Sequence, residues 1–113
     1  MRSPPQPLLR LACCCPALTE AALQARILAW LRDQPETFAV KFAAGPFTMS
    51  GVPDILCCVR GRYLALEVKH GRGKATPIQL RRIEQINAAG GRALVVRTLE
   101  AAQQAWRDVW TSH

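Results

Sequence analysis

The sequence predicts a single α/β domain, and three observations carry that expectation. Apolar residues recur at helical spacing in three separated stretches, two short apolar runs flank an Arg-Gly pair as hairpin strands do, and a further apolar run follows a helix that ends in Gly-Gly. A strand reached from a hairpin through a helix is a crossover strand, which places it parallel to its neighbour. The length of 113 residues suits one domain and little more.

Residues 1–18 carry four of the eight prolines and no sustained period, so they read as a flexible or irregular tail before a domain spanning 19–113. Thr19 suits a helix N-cap, with Glu20 at the positive helix end. Leu23, Ile27, Trp30 and Leu31 then recur at helical spacing until Pro35 stops the pattern. Residues 38–43, FAVKFA, read as a short strand and GPFTMSG as a loop. PDILCCV and YLALEVK flank Arg60-Gly61 as a hairpin. With a turn of two or four residues, opposing positions sum to 121, which sets Asp54 across from Glu67.

That register sorts the hairpin into two faces. Ile55, Cys57, Val59, Leu64, Leu66 and Val68 form an apolar face fit for burial under helices. On the other face Leu56, Cys58, Tyr63 and Ala65 lead to Asp54, Glu67 and Lys69, three charges on one end of a mostly apolar hairpin. After the basic turn HGRGK, Thr76-Pro77 starts a second helix that Gly90-Gly91 ends, with Leu80, Ile83 and Ile86 as its inward stripe. RALVVRT reads as a buried strand, and a last helix presents Leu99, Ala102, Trp106 and Val109 on one face. Trp30, Trp106 and Trp110 read as helix-packing residues, with Trp110 close enough to the end to meet a partner or a base.

Fifteen Lys and Arg against eight Asp and Glu leave a formal +7, which draws the chain toward polyanions, nucleic acid first. Only Lys41, Lys69 and Lys74 among the fifteen are lysines, and the arginine fork suits bidentate phosphate contact. Cys13, Cys14, Cys15, Cys57 and Cys58 lie in adjacent runs, unlike a disulfide framework or a zinc knuckle, so a reducing, cytoplasmic setting is expected. Prolines and Arg10 interrupt the early apolar stretch, which argues against a secretory leader, and no apolar run is long enough to span a bilayer.

Two carboxylates facing each other on adjacent strands repel unless a cation or a proton lies between them. Mg²⁺ takes a few carboxylate oxygens and keeps waters for a phosphate, so Asp54 and Glu67, with the backbone carbonyl of Val68, would make an open site for a hard ion. Lys69 then sits where it can orient or deprotonate a metal-associated water or stabilise a pentavalent phosphorus transition state.

Gly51-Val52-Pro53-Asp54 followed by Glu67-Val68-Lys69 resembles the PD-(D/E)XK motif of the restriction-endonuclease-like nucleases. Gly73-Lys74, Thr76-Pro77-Ile78-Gln79, Ala89-Gly90-Gly91 and RALVV narrow the resemblance to the virus-type replication-repair nuclease (VRR-NUC) branch, over about residues 19–98. The resemblance implies a restriction-endonuclease-like αβββαβ core, a mixed central sheet flanked by helices. It also implies a Mg²⁺- or Mn²⁺-dependent DNA endonuclease of replication, recombination or repair, with no small-molecule cofactor. Asp54 and Glu67 would be metal ligands, Lys69 the catalytic lysine, Gln79 an accessory active-site residue and Glu20 a further acid from the first helix. DNA, including branched DNA, is the implied partner, and a homodimer stays open. The Cys- and Pro-rich first eighteen residues match nothing in the family pattern.

Other readings stand beside these. Gln79 also completes a capping box with Thr76, and Glu20 also answers the helix dipole. The basic set Arg60, Arg62, Arg72, Lys74, Arg81 and Arg82 reads as a phosphate-binding rim, with Arg72 and Lys74 directly after the catalytic strand. From a different class, the chain reads as a catalytically silent or partner-dependent nucleic-acid-binding module on the same fold.

Overall fold

The computed structural model describes residues 19–112, so the expected tail and its Cys13, Cys14 and Cys15 lie outside the described residues. Thr19 caps α1 (Glu20–Arg32), its Oγ1 accepting from the Ala22 amide at 3.0 Å, and the helix stops short of Pro35. β1 (Thr37–Lys41), β2 (Ile55–Val59) and β3 (Arg62–Val68) follow, then α2 (Pro77–Ala88), β4 (Arg92–Val96) and α3 (Leu99–Thr111). The sheet order is β1-β2-β3-β4, with β1 and β2 antiparallel to their successors and β3 parallel to β4. This is the αβββαβ order with one helix added. No helix among the described residues is long and apolar enough to cross a membrane.

The hairpin register is the one the turn dictates. Ile55 pairs with Leu66 and Val59 with Arg62, every pair summing to 121. Arg60 and Gly61 both adopt positive φ, 51° and 83°, as a two-residue type I′ turn requires. The unusual Arg60 conformation is held from several sides. Its amide donates to the Glu36 carbonyl at 2.9 Å, its Nη1 donates to the Trp110 carbonyl at 3.2 Å, and the guanidinium lies 4.4 Å over the Trp110 ring.

The face carrying Ile55, Cys57, Val59, Leu64, Leu66 and Val68 is buried beneath α1 and α3, as expected. There Trp106 stacks on Trp110 at 4.9 Å, takes the Trp30 ring edge-on at 5.6 Å, and donates its indole N–H to Thr37 Oγ1 at 2.9 Å. Trp110 is thus spent between Trp106 and Arg60.

The opposite face is covered only in part. No residue of α2 is buried, and Leu80 of the expected inward stripe is 47% exposed. The helix is anchored instead by polar contacts. Asn87 Nδ2 donates to the Ala93 carbonyl at 3.0 Å and its Oδ1 accepts from the Ala93 amide at 2.8 Å, as a further strand would. The loop from β1 to β2 is pinned to the start of α2. Arg82 Nε donates to the Ser50 carbonyl at 2.9 Å, and Gly51, at φ +80°, leaves no room for a Cβ, which would stand 2.9 Å from Ile78.

Candidate active site

Extending the hairpin register by one step past Ile55 and Leu66 brings Asp54 opposite Glu67. The carboxylate of Asp54 continues the ladder, its Oδ2 accepting from the Val68 amide at 2.8 Å, while its backbone carbonyl accepts from Phe42 at 2.8 Å. Both bonds fix Asp54 at the mouth of the hairpin. Glu67 shares its face and is 1% exposed.

Lys69 Nζ stands 3.5 Å from Glu67 Oε2, and Oε1 of the same carboxylate is buried without a hydrogen-bond partner. Burial pushes the Glu67 carboxyl up to about 7, and the Asp54 charge and a hydrogen bond shared with Asp54 push in the same direction, against the opposing pull of Lys69. One ammonium therefore does not settle two facing acids. An orphaned carboxylate oxygen beside a second carboxylate is a donor set that suits a hard divalent cation, so the residues present fit such an ion.

The other expected residues are distributed unequally. Glu20 occupies the first turn of α1, and among the described residues no third His, Cys, Asp or Glu joins Asp54 and Glu67 as a metal-holding group. Gln79 forms the complete capping box, its Oε1 accepting from the Thr76 amide at 2.9 Å and its amide donating to Thr76 Oγ1 at 3.2 Å. Val68 lies at the end of β3 with its amide committed to Asp54. Arg72 and Lys74 are exposed on the loop that follows Lys69. Arg81 is exposed on α2, whereas Arg82 is committed to Ser50 and Gln85. Arg60 and Arg62 are not brought to the site. They lie at the closed end of the hairpin, five residues or more from Glu67 along β3, roughly 17 Å at the rise of a strand.

Two residues escaped the sequence reading. Arg97, just beyond β4, donates through Nη1 to the carbonyls of Gly71 and Gly73 at 3.1 and 2.7 Å and so shapes the loop bearing Arg72. Its signal was an arginine directly after the strand parallel to β3. Gln24 is 8% exposed on the inner side of α1, beside Ile55 and Lys41 at a cavity of about 120 Å³. A polar residue set into the apolar stripe of Leu23, Ile27 and Leu31 was the available clue.

No family model matches the sequence, and no curated protein matches it. Solved structures do. One named "VRR_NUC domain" superposes with a TM-score of 0.66 at 23% identity, covering 86% of this chain and 100% of its own. Another, named "VRR_NUC domain protein", gives 0.66 at 26% identity, covering 81% of this chain and 91% of its own. The chain therefore has the restriction-endonuclease-like fold of VRR_NUC domains, and these likenesses support the VRR-NUC family for it.

Proposed function

We propose that this chain is a divalent-metal-dependent nuclease that hydrolyses phosphodiester bonds of DNA, with branched DNA as its preferred form. The observation that carries the reading is the buried Glu67 with its unpartnered Oε1, set beside Asp54 and 3.5 Å from Lys69. Asp54 and Glu67 would hold Mg²⁺ or Mn²⁺, with the Val68 carbonyl as a further ligand. Such an ion supplies Lewis acidity toward a phosphoryl oxygen and lowers the pKa of its water.

The chain's own residues divide the remaining work. The Val68 amide holds Asp54 in place by engaging Oδ2. Lys69 sits where its ammonium can meet a phosphate oxygen as negative charge builds, or exchange a proton with the attacking water. Arg72 and Lys74 bind flanking phosphates from a loop held by Arg97. Gln79 acts first as the cap of α2, and Glu20 enters only as an outlying acid. One site of this size cuts one strand, so paired cuts at a branch need two copies or rebinding.

The test is cleavage of labelled single-stranded, duplex, flap and four-way-junction DNA in Mg²⁺, Mn²⁺ or EDTA, by the wild type and Lys69→Ala. Metal-dependent cutting that is lost in Lys69→Ala is the expected outcome. Tight binding in EDTA with no cutting in any metal would overturn it in favour of a binding module.

A further inference from the structure

The sheet face that carries Asp54 and Glu67 does not end at the acids. By the strand pairing, Phe38 of β1 lies beside Cys58 of β2, and Cys58 lies beside Tyr63 of β3, so the three form one row across the sheet on that same face. Phe38 is 70% exposed and Tyr63 42%, and Cys58 between them is exposed as well. Neighbouring strands stand about 4.8 Å apart, so the two rings are presented roughly 10 Å from each other. Tyr63 and Glu67 are four positions apart on β3, which sets the row roughly 14 Å from the acids, with Ala65 between them buried.

Beside Tyr63 the surface deepens into a cleft of about 280 Å³ between the β1–β2 loop and α2. Met49, Val52, Ile86 and Ala89 give it apolar walls, and Arg82 and Gln85 stand at its rim. The loop above holds Phe47 almost wholly in solvent, at the tip of a turn closed by Thr48, whose amide and hydroxyl both donate to the Gly45 carbonyl. From Thr37 to Pro53 the chain has no acidic residue. Exposed aromatic rings on a chain of net charge +7 suit a ligand that is flat, apolar on its faces and attached to anions. A second copy of a chain carrying +7 would bring like charge to the same face.

We propose that this face is a stacking platform for unpaired nucleobases, with Phe38 and Tyr63 as its rings and the cleft beside Tyr63 as a seat for one base. The proposal rests on the nuclease reading and deepens it. A strand whose phosphate is held at Asp54 and Glu67 reaches the rings about four nucleotides away, at the ~3.4 Å rise of stacked bases, by passing outside the contact between the β1–β2 loop and α2. Bases locked in a duplex cannot offer their faces to it, so the favoured substrate has a single-stranded arm next to the scissile bond.

The experiment measures binding, in EDTA, of a short labelled oligothymidine strand and of a blunt duplex of equal length. It compares the full-length wild type with Phe38→Ala, Tyr63→Phe and the double variant Phe38→Ala/Tyr63→Ala. The double variant should bind the single strand roughly ten- to a hundred-fold more weakly with an unchanged salt dependence, and the duplex as the wild type does. Tyr63→Phe should bind the single strand normally, because it keeps the ring. Phe38 is exposed enough that Phe38→Ala alone reports on the platform if the double variant folds poorly. Unchanged single-strand affinity, an equal loss for single strand and duplex, or a wild-type dimer that the variants dissociate would each overturn the proposal. The nuclease reading fails by a different result, namely a wild type that binds the single strand through these rings but cuts nothing with any metal.

Discussion

Glu67 concentrates the energetic conflict of the molecule in one side chain. Its folded-state pKa, pushed up to about 7, lies above the ordinary value of 4.5, so the folded protein holds a proton that the unfolded chain releases. The stability tied to that proton is complete below about pH 4.5 and is lost as pH rises through about 7. Glu67→Gln removes the titration while keeping the shape. In thermal melts with EDTA, it should therefore gain more over the wild type at pH 8.5 than at pH 5.5, and an equal gain at both would refute this account. The pairing of Asp54 with Glu67 was legible in the sequence because a two-residue turn leaves one register open, and every later position follows from it. The depth at which Glu67 is buried was not legible, since it depends on what lies over the strand.

At the scale of elements, α2 shows the limit of reading periodicity. Leu80, Ile83 and Ile86 share a side of the helix as their spacing requires, yet none is buried. Spacing establishes which residues travel together; the amount of sheet beneath them is decided elsewhere. The helix is held by its capped start, by Asn87 and by the half-buried Ile83 and Ile86. Thr76→Ala removes the cap and should cost about 1 kcal/mol in denaturant unfolding. Leu80→Gln should cost less than about 0.5 kcal/mol, as a surface change does. A reversed order of the two would mean that α2 packs more deeply than the exposure of Leu80 allows. The start of α2 at Thr76-Pro77 and the cap of α1 at Thr19 were fully legible, because a cap is a local matter of one hydroxyl and one amide.

Across the whole molecule, charge is sorted in a way that composition conceals. Arg72 and Lys74 project from the end of the sheet that carries the acids, while Arg60 is at the far end, stacked on Trp110 and bonded to its carbonyl. Arg60→Ser should therefore lower the melting temperature and leave DNA affinity nearly unchanged. Lys74→Ser should do the reverse, weakening binding across sequences and reducing the salt slope by about one. Titrations over a range of salt concentrations separate the two effects, and a DNA defect in Arg60→Ser would contradict the sorting. Composition marks both only as basic, and the hairpin register is what separates them, because the length of β3 lies between the turn at Arg60 and the loop that bears Arg72.

The alternation of a β-strand also gives this molecule a chemical handle. Cys57 and Cys58 are neighbours in sequence on opposite sides of the sheet, one inside the core and the other exposed. Burial, with some help from the adjacent Cys58, pushes the Cys57 thiol up to about 12, so it stays protonated and slow toward electrophiles. With Cys13, Cys14 and Cys15 replaced, a maleimide dye would attach to Cys58 alone, between Phe38 and Tyr63, and its brightness would follow in real time whatever comes to lie on that surface.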